Sequence, residues 1–159
     1  MQAYVNVGAQ ETNRGDFVHR VFSCLEFIED GPGTQVDAAI ARVNREMPAP
    51  LSLDEVKLLV YECLNDRGMR DWFVRKEKRI VLREQELTNR DGALYRADRI
   101  IIDPKTVTVV DFKTGGDESE NDYVVQVKNY IEMLKEIYSD KEVIGRLAYV
   151  DLKKVRSVS

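Results

Sequence analysis

Apolar residues recur at three- and four-residue spacing through the first part of the chain. Phe17, Val18, Val21, Phe22, Leu25 and Ile28 form one such stripe and predict an amphipathic helix. Gly31-Pro32-Gly33 stops it. Val36, Ala39, Ile40 and Val43 mark a second helix over Thr34–Glu46, closed by Pro48 and Pro50. Ser52 and Glu55 have the spacing of a capping box, and Val56, Leu59, Val60 and Leu64 give the helix behind it. After Trp72 the pattern shifts to short runs rich in β-branched residues. Arg79–Leu87, Ala93–Ile102 and Val107–Phe112 predict three strands, joined by the turn signals Asn89-Arg90-Asp91-Gly92 and Asp103-Pro104-Lys105. The run Val107–Val110 reads as part of a central, buried strand. Thr114-Gly115-Gly116 breaks it; Asn121 or Asp122 then caps a helix to about Tyr138, and Val143–Val150 is a final strand. This order predicts an α/β fold, a central mixed β-sheet flanked by helices with an N-terminal helical portion. The helical portion spans residues 12–72 and the α/β core 73–152, within one domain over 1–159.

Composition narrows the function. The chain has 159 residues, 43% hydrophobic and 33% charged, enough apolar mass for a core and too much for a disordered chain. No apolar run approaches the roughly 20 residues of a membrane span. The first ten residues lack a signal-peptide pattern, so the expected location is cytoplasmic, with no membrane partner. Cys24 and Cys63 are too few for a disulfide framework, a four-cysteine zinc site or an iron–sulfur cluster, and read as apolar fillers. A net charge of −4, from 24 basic and 28 acidic residues, excludes a globally basic nucleic-acid coat. It does not exclude a nuclease, whose site concentrates carboxylates to hold cations.

Candidate chemistry gathers on two of the predicted strands. Asp111 and Lys113 in Asp111-Phe112-Lys113 share a strand face, with Phe112 on the other. The Asp103-Pro104 turn folds the preceding strand back and can bring Asp98 beside Asp111. Two carboxylates with an ammonium one step on can bind a hard cation such as Mg²⁺, which takes oxygen ligands and keeps several waters. Such an ion polarises a phosphodiester and lowers the pKa of a bound water. The lysine can orient that water or offset charge developing on phosphate. Gln126 and Tyr130, spaced i, i+4 on the predicted helix, can bond a phosphate or position Lys113. Upstream, Gly15 and His19 stand on the first helix, and a neutral imidazole would add a nitrogen to a shell of oxygens. Against this, Asp-x-Lys alone is a weak signal, and a lone histidine beside Val18, Val21 and Phe22 also fits a core position. The buried run before Asp111 favours the functional reading, because two charges following it need a compensating partner.

The ordered set of Gly15 to His19, Asp91-Gly92, Tyr95 to Arg99, Val110 to Gly115, Tyr123, Gln126-Val127 and Tyr130 resembles the RecB-type branch of the PD-(D/E)XK nucleases. The likeness covers most of residues 14–150 and is greatest to the nuclease domain at the C-terminus of UvrD-like helicases. It implies a restriction-endonuclease-like core. It implies His19, Asp98, Asp111 and the Phe112 carbonyl as ligands of Mg²⁺ or Mn²⁺, Lys113 as the catalytic lysine, and Gln126 and Tyr130 as the last motif. Glu84 or Glu86 falls near a glutamate often present on the preceding strand. Ala97 stands where the name motif has proline, as in many RecB-type members, and no cluster-binding cysteines are present. The implied function is a metal-dependent DNA exonuclease acting on single-stranded DNA or a duplex end, fed by a helicase in the same parent chain or complex, in recombinational repair. The chain would then be a fragment of a larger helicase–nuclease. The rival is a catalytically weak nucleic-acid-binding or interaction module of a helicase.

Two further stretches carry charge. Arg67, Arg70, Arg75, Lys76, Lys78 and Arg79 surround Trp72 and Phe73. They could track a phosphate backbone, or they could be a solvated connector with Trp72 in the core. Asp117 to Asp122 reads as an acidic loop at the mouth of the site.

Overall fold

The computed structural model of the chain describes residues 2–50 and 52–159, with side chains from residue 13 onward. The chain divides into two compact units, one ending at Val74 and the other beginning at Arg75.

The first unit holds helices α1 (Gln2–Ser23), α2 (Gly33–Glu46) and α3 (Leu53–Asn65) and a 3-10 turn at Arg70–Phe73. Helix α1 ends five residues before the end of the predicted stripe. The Cys24 and Leu25 amides bond carbonyls three residues back, which tightens the last turn, and the Ser23 hydroxyl donates to the Arg20 carbonyl. Leu25 stays buried beyond the helix, while the Ile28 amide bonds the Phe73 carbonyl at 2.8 Å. The stripe therefore marks burial as far as Leu25, leaves Ile28 half-buried, and overstates the helix. The Ser52 hydroxyl accepts the Glu55 amide at 3.2 Å, so α3 begins at its capping box. Phe17, Val21, Val36, Val43, Val60 and Phe73 are fully buried, and Trp72 is nearly so. Cys63 is an interior filler, but Cys24 is only half-buried. Arg70 of the basic stretch pairs with Asp30 at 3.2 Å.

The second unit is a five-stranded sheet with one helix: β1 (Ile80–Thr88), β2 (Leu94–Ile102), β3 (Thr106–Lys113), α4 (Glu120–Ile137), β4 (Glu142–Tyr149) and β5 (Lys154–Val158). Spatial order follows chain order. β1 to β3 form an antiparallel meander, β4 lies parallel to β3, and β5 is antiparallel to β4. The parallel pair requires a crossover, and α4 is that crossover. The mixed sheet matches the predicted fold class. Strand β5 had no sequence signal: Lys154 to Val158 is short, mostly exposed and flanked by charge.

Helix α4 covers one face of this sheet. Val127, Tyr130, Ile131 and Leu134 join Ile100, Val107, Val109 and Leu147 in one buried cluster. At Gly145 of β4 the helix approaches so closely that a Cβ would lie 2.6 Å from Ile131 Cδ1 and 2.7 Å from Val127 Cγ1. The helix starts at Glu120, so Asn121 and Asp122 lie inside its first turn rather than capping it; the carboxylates there still suit the positive end of the helix dipole. The segment before it is tied down, with Asp117 on Lys154 at 3.0 Å and the Gly115 amide on Asp151 at 2.7 Å. At the far end of the meander, Arg79 donates two hydrogen bonds to Asp103 at 2.7 and 2.8 Å. Lys141 caps the same turn through the Asp103 and Pro104 carbonyls. Arg79 thus leaves the basic stretch as a structural residue. Among the described residues no helix is long and apolar enough to cross a membrane.

The close helix–strand approach gives a stability test. Gly145→Ala should overpack the Val127–Ile131 contact and lower folding stability by about 1–3 kcal/mol, measured by urea denaturation. An unchanged midpoint would show that α4 does not rest on Gly145.

Candidate active site

Two strands and one helix of the second unit build the site. The β2–β3 ladder ends at the pair Arg99↔Val110. One step on, Asp98 and Asp111 face one another across strands that have begun to part. The Asp98 side chain fills the gap: its Oδ2 accepts the Phe112 amide at 2.8 Å, in place of a ladder carbonyl. Asp111 continues the face of Val107 and Val109, and it is 3% exposed. A carboxylate at that depth requires compensation. Lys113, two residues on along the same face, supplies part of it with Nζ 2.8 Å from Asp111 Oδ2.

Helix α4 fixes the lysine. Lys113 Nζ also donates to Gln126 Oε1 at 3.1 Å, and it stands 4.4 Å from the centre of the Tyr123 ring. Gln126 Nε2 donates to the Tyr130 hydroxyl at 3.0 Å, and that hydroxyl donates to the Arg96 carbonyl at 2.8 Å. The directions in this chain are forced. A carbonyl can only accept, so the Tyr130 proton is committed to Arg96. Gln126 must then offer its NH₂ to Tyr130 and its oxygen to Lys113. Burial first, then the Asp111 and Asp98 carboxylates, push the Tyr130 hydroxyl far above its ordinary range, so it remains a donor at all working pH. Tyr149, in register with Lys113 on β4, is fully buried, and burial followed by the Glu120 carboxylate pushes its hydroxyl up to about 12.

The predicted residues Asp98, Asp111, Phe112, Lys113, Gln126 and Tyr130 are therefore brought together in one unit. The Arg96 guanidinium, beside this group, lies 2.9 Å from Glu84. Tyr123 adds a contact to Lys113 for which the sequence signal was its position one turn before Gln126. His19 stands on α1 in the first unit. Its Nδ1 lies 2.9 Å from the Gly15 carbonyl, one turn back. That nitrogen must carry the proton, so in the neutral ring Nε2 bears the lone pair.

The donor set suits a hard divalent cation. Asp98, Asp111 and the Phe112 carbonyl offer only oxygens, and one carboxylate is buried. Among the described residues no group of three His, Cys, Asp or Glu gathers as a metal site. Mg²⁺ does not need such a group, since it is commonly held through one or two carboxylates and retains several waters.

A family model described as the PD-(D/E)XK nuclease superfamily matches residues 6–159. The chain belongs to this superfamily. Its mixed five-stranded sheet with a crossover helix, preceded in the chain by helices, is the restriction-endonuclease-like arrangement. Phosphodiester hydrolysis is the chemistry of PD-(D/E)XK domains. Asp111-Phe112-Lys113 has the spacing of the (D/E)-x-K part of the name. No curated protein matches the chain. The crystal structure of SSO0001 is 17% identical, covers 89% of this chain and has a TM-score of 0.35; this chain spans 65% of that protein.

The hydrogen-bond chain on α4 can be tested in the PD-(D/E)XK domain without substrate. Tyr130→Phe leaves the Arg96 carbonyl without its donor and Gln126 Nε2 without its acceptor. Stability should drop by about 1–3 kcal/mol in a thermal melt. A melt identical to wild type would mean that the hydroxyl does not anchor Gln126.

Proposed function

We propose that this PD-(D/E)XK domain is a Mg²⁺- or Mn²⁺-dependent deoxyribonuclease of RecB type. It degrades single-stranded DNA or a duplex end from the terminus, with the strand delivered by a UvrD-like helicase in the same chain or complex during recombinational repair. The observation that carries this reading is the Lys113 ammonium, pinned between Asp111 and Gln126. A charge held by two polar contacts and an aromatic face is preorganised, and preorganised charge is what a phosphoryl-transfer site needs.

Asp98, Asp111 and the Phe112 carbonyl would hold the metal, with His19 as the further ligand that the family resemblance implies. When bound, the ion supplies Lewis-acid polarisation of the phosphodiester and a nucleophile at neutral pH. Asp98 and Asp111 keep the negative charge that attracts the cation. Lys113 donates to a phosphate oxygen as charge builds there and so acts on the transition state rather than on metal affinity. Gln126, held by Tyr130, keeps the ammonium aimed. No covalent intermediate is required, and neither cysteine takes part. A net charge of −4 supports weak DNA affinity for the domain alone, falling steeply with salt, with the helicase raising the local strand concentration.

Calorimetric Mn²⁺ titration beside cleavage of labelled single strands tests the assignment. Lys113→Ala should keep metal binding and lose roughly 10²-fold or more in cleavage, the size expected for one charge-stabilising group. Asp111→Ala should lose both. His19→Ala should weaken metal-supported cleavage and leave most of the metal-free stability. Cleavage at the wild-type rate by Lys113→Ala would remove the catalytic role of this lysine. A wild-type chain, fused to its helicase, that shows no Mn²⁺-dependent cleavage would leave a nucleic-acid-binding or helicase-interaction module.

A further inference from the structure

Three non-glycine residues among those described have positive φ. Lys78 and Lys153 lie in turns. Glu84, at φ +50°, lies in the middle of β1, where an L-residue rarely adopts that conformation. Its place along the strand is specific. The β1–β2 register keeps one offset from Ile80↔Ile102 to Thr88↔Leu94, and the one opposed position missing from the pairing is Glu84 with Asp98.

The side chains show what the left-handed residue does. In a regular strand, residues an even number apart share a face. Leu82 and Leu87 nevertheless pack on the same α4-covered cluster, five residues apart. On β2, Tyr95 and Ala97 face that cluster and so do Ile100 and Ile102. Both strands therefore reset their alternation at the same level, and the register survives because both reset together. With regular alternation Asp98 would stand on the α4 face in line with Ile100 and Ile102. At the reset it projects instead toward β3, and its carboxylate reaches the Phe112 amide. Glu84 also reaches diagonally to Arg96, but that arginine is two-thirds exposed, and such a pair is too weak to impose a strained backbone. Strain retained in a strand beside a functional carboxylate points to a role in placing it.

We propose that the left-handed backbone at Glu84 sets the Asp98 carboxylate into the opening between β2 and β3, so that Glu84 is a positioning residue of the site. Its bearing on metal and cleavage rests on the nuclease reading above; its bearing on the Asp98–Phe112 bond does not. The backbone matters here, and the Glu84 carboxylate is secondary. Glycine adopts φ +50° without strain, whereas a β-branched residue resists it.

The test compares Glu84→Gly with Glu84→Val in the full chain. The first readout is amide hydrogen exchange at Phe112 in metal-free protein, and the second is Mn²⁺ affinity by calorimetry. Glu84→Gly should keep Phe112 protected, melt at or above the wild-type temperature, and keep its Mn²⁺ affinity. Glu84→Val should expose the Phe112 amide to faster exchange and weaken Mn²⁺ binding by about 10-fold or more, the range for residues that orient a ligand. In an Asp98→Ala background, Glu84→Val should add nothing at Phe112. If Glu84→Val does not fold, Glu84→Ala replaces it, and Phe112 protection must then be greater with Gly than with Ala. Loss of Phe112 protection in a folded Glu84→Gly protein would assign the role to the carboxylate and overturn the proposal. Wild-type exchange and affinity in Glu84→Val would overturn it equally. The exchange readout uses neither DNA nor metal, so a chain without nuclease activity would sink the functional reading without deciding this one.

Discussion

The site depends on a place where a sheet stops being regular. Between β2 and β3 the backbone ladder ends at Arg99↔Val110, and the next donor, the Phe112 amide, is taken by the Asp98 side chain. A buried amide has to find an acceptor, and here the acceptor is a carboxylate. One bond thus satisfies the strand and brings a second negative charge to Asp111. The other arrangements follow from that pairing of charges. Lys113 lies close because Asp111 is buried. Gln126 faces Lys113 because Tyr130 has committed its proton to the β2 backbone at Arg96.

Much of this was legible in the chain itself. The meander, its two turns and the central strand follow from Val107–Val110 and from the Asn89 and Asp103 turn signals. Asp111 and Lys113 share a face by strand geometry alone. Gln126 and Tyr130 share one by helix geometry. What could not be read were quantities that depend on how strands sit beside one another. Strand β5 carries no apolar run, because an edge strand against β4 needs only alternate contacts. The left-handed backbone at Glu84 leaves no signature in composition, since glutamate is not a residue that announces it. The early end of α1 was hidden because Leu25 remains buried after the helix has finished.

The basic stretch after Arg67 shows why charge counts mislead. Arg70 is held by Asp30, and Arg79 is nearly buried on Asp103, so residues that read as a strip have separate structural tasks. The acidic residues after Gly116 behave similarly. Asp117 and Glu120 are matched to Lys154 and Arg156 of the final strand, which closes the edge of the sheet beside β4. Charge on the segment after Gly116 is thus paired across to the last strand.

The clamp of Arg79 on Asp103 gives the molecule two responses to ionic strength. Its guanidinium side chain is 3% exposed, and both of its contacts point inward. Dissolved ions screen charges they can surround, and they reach such a pair poorly. Phosphate held at an open surface has no such shelter. On the nuclease reading proposed above, raising salt would loosen the hold on a phosphate backbone while the base of the meander stays closed, so the domain would leave its polymer still folded.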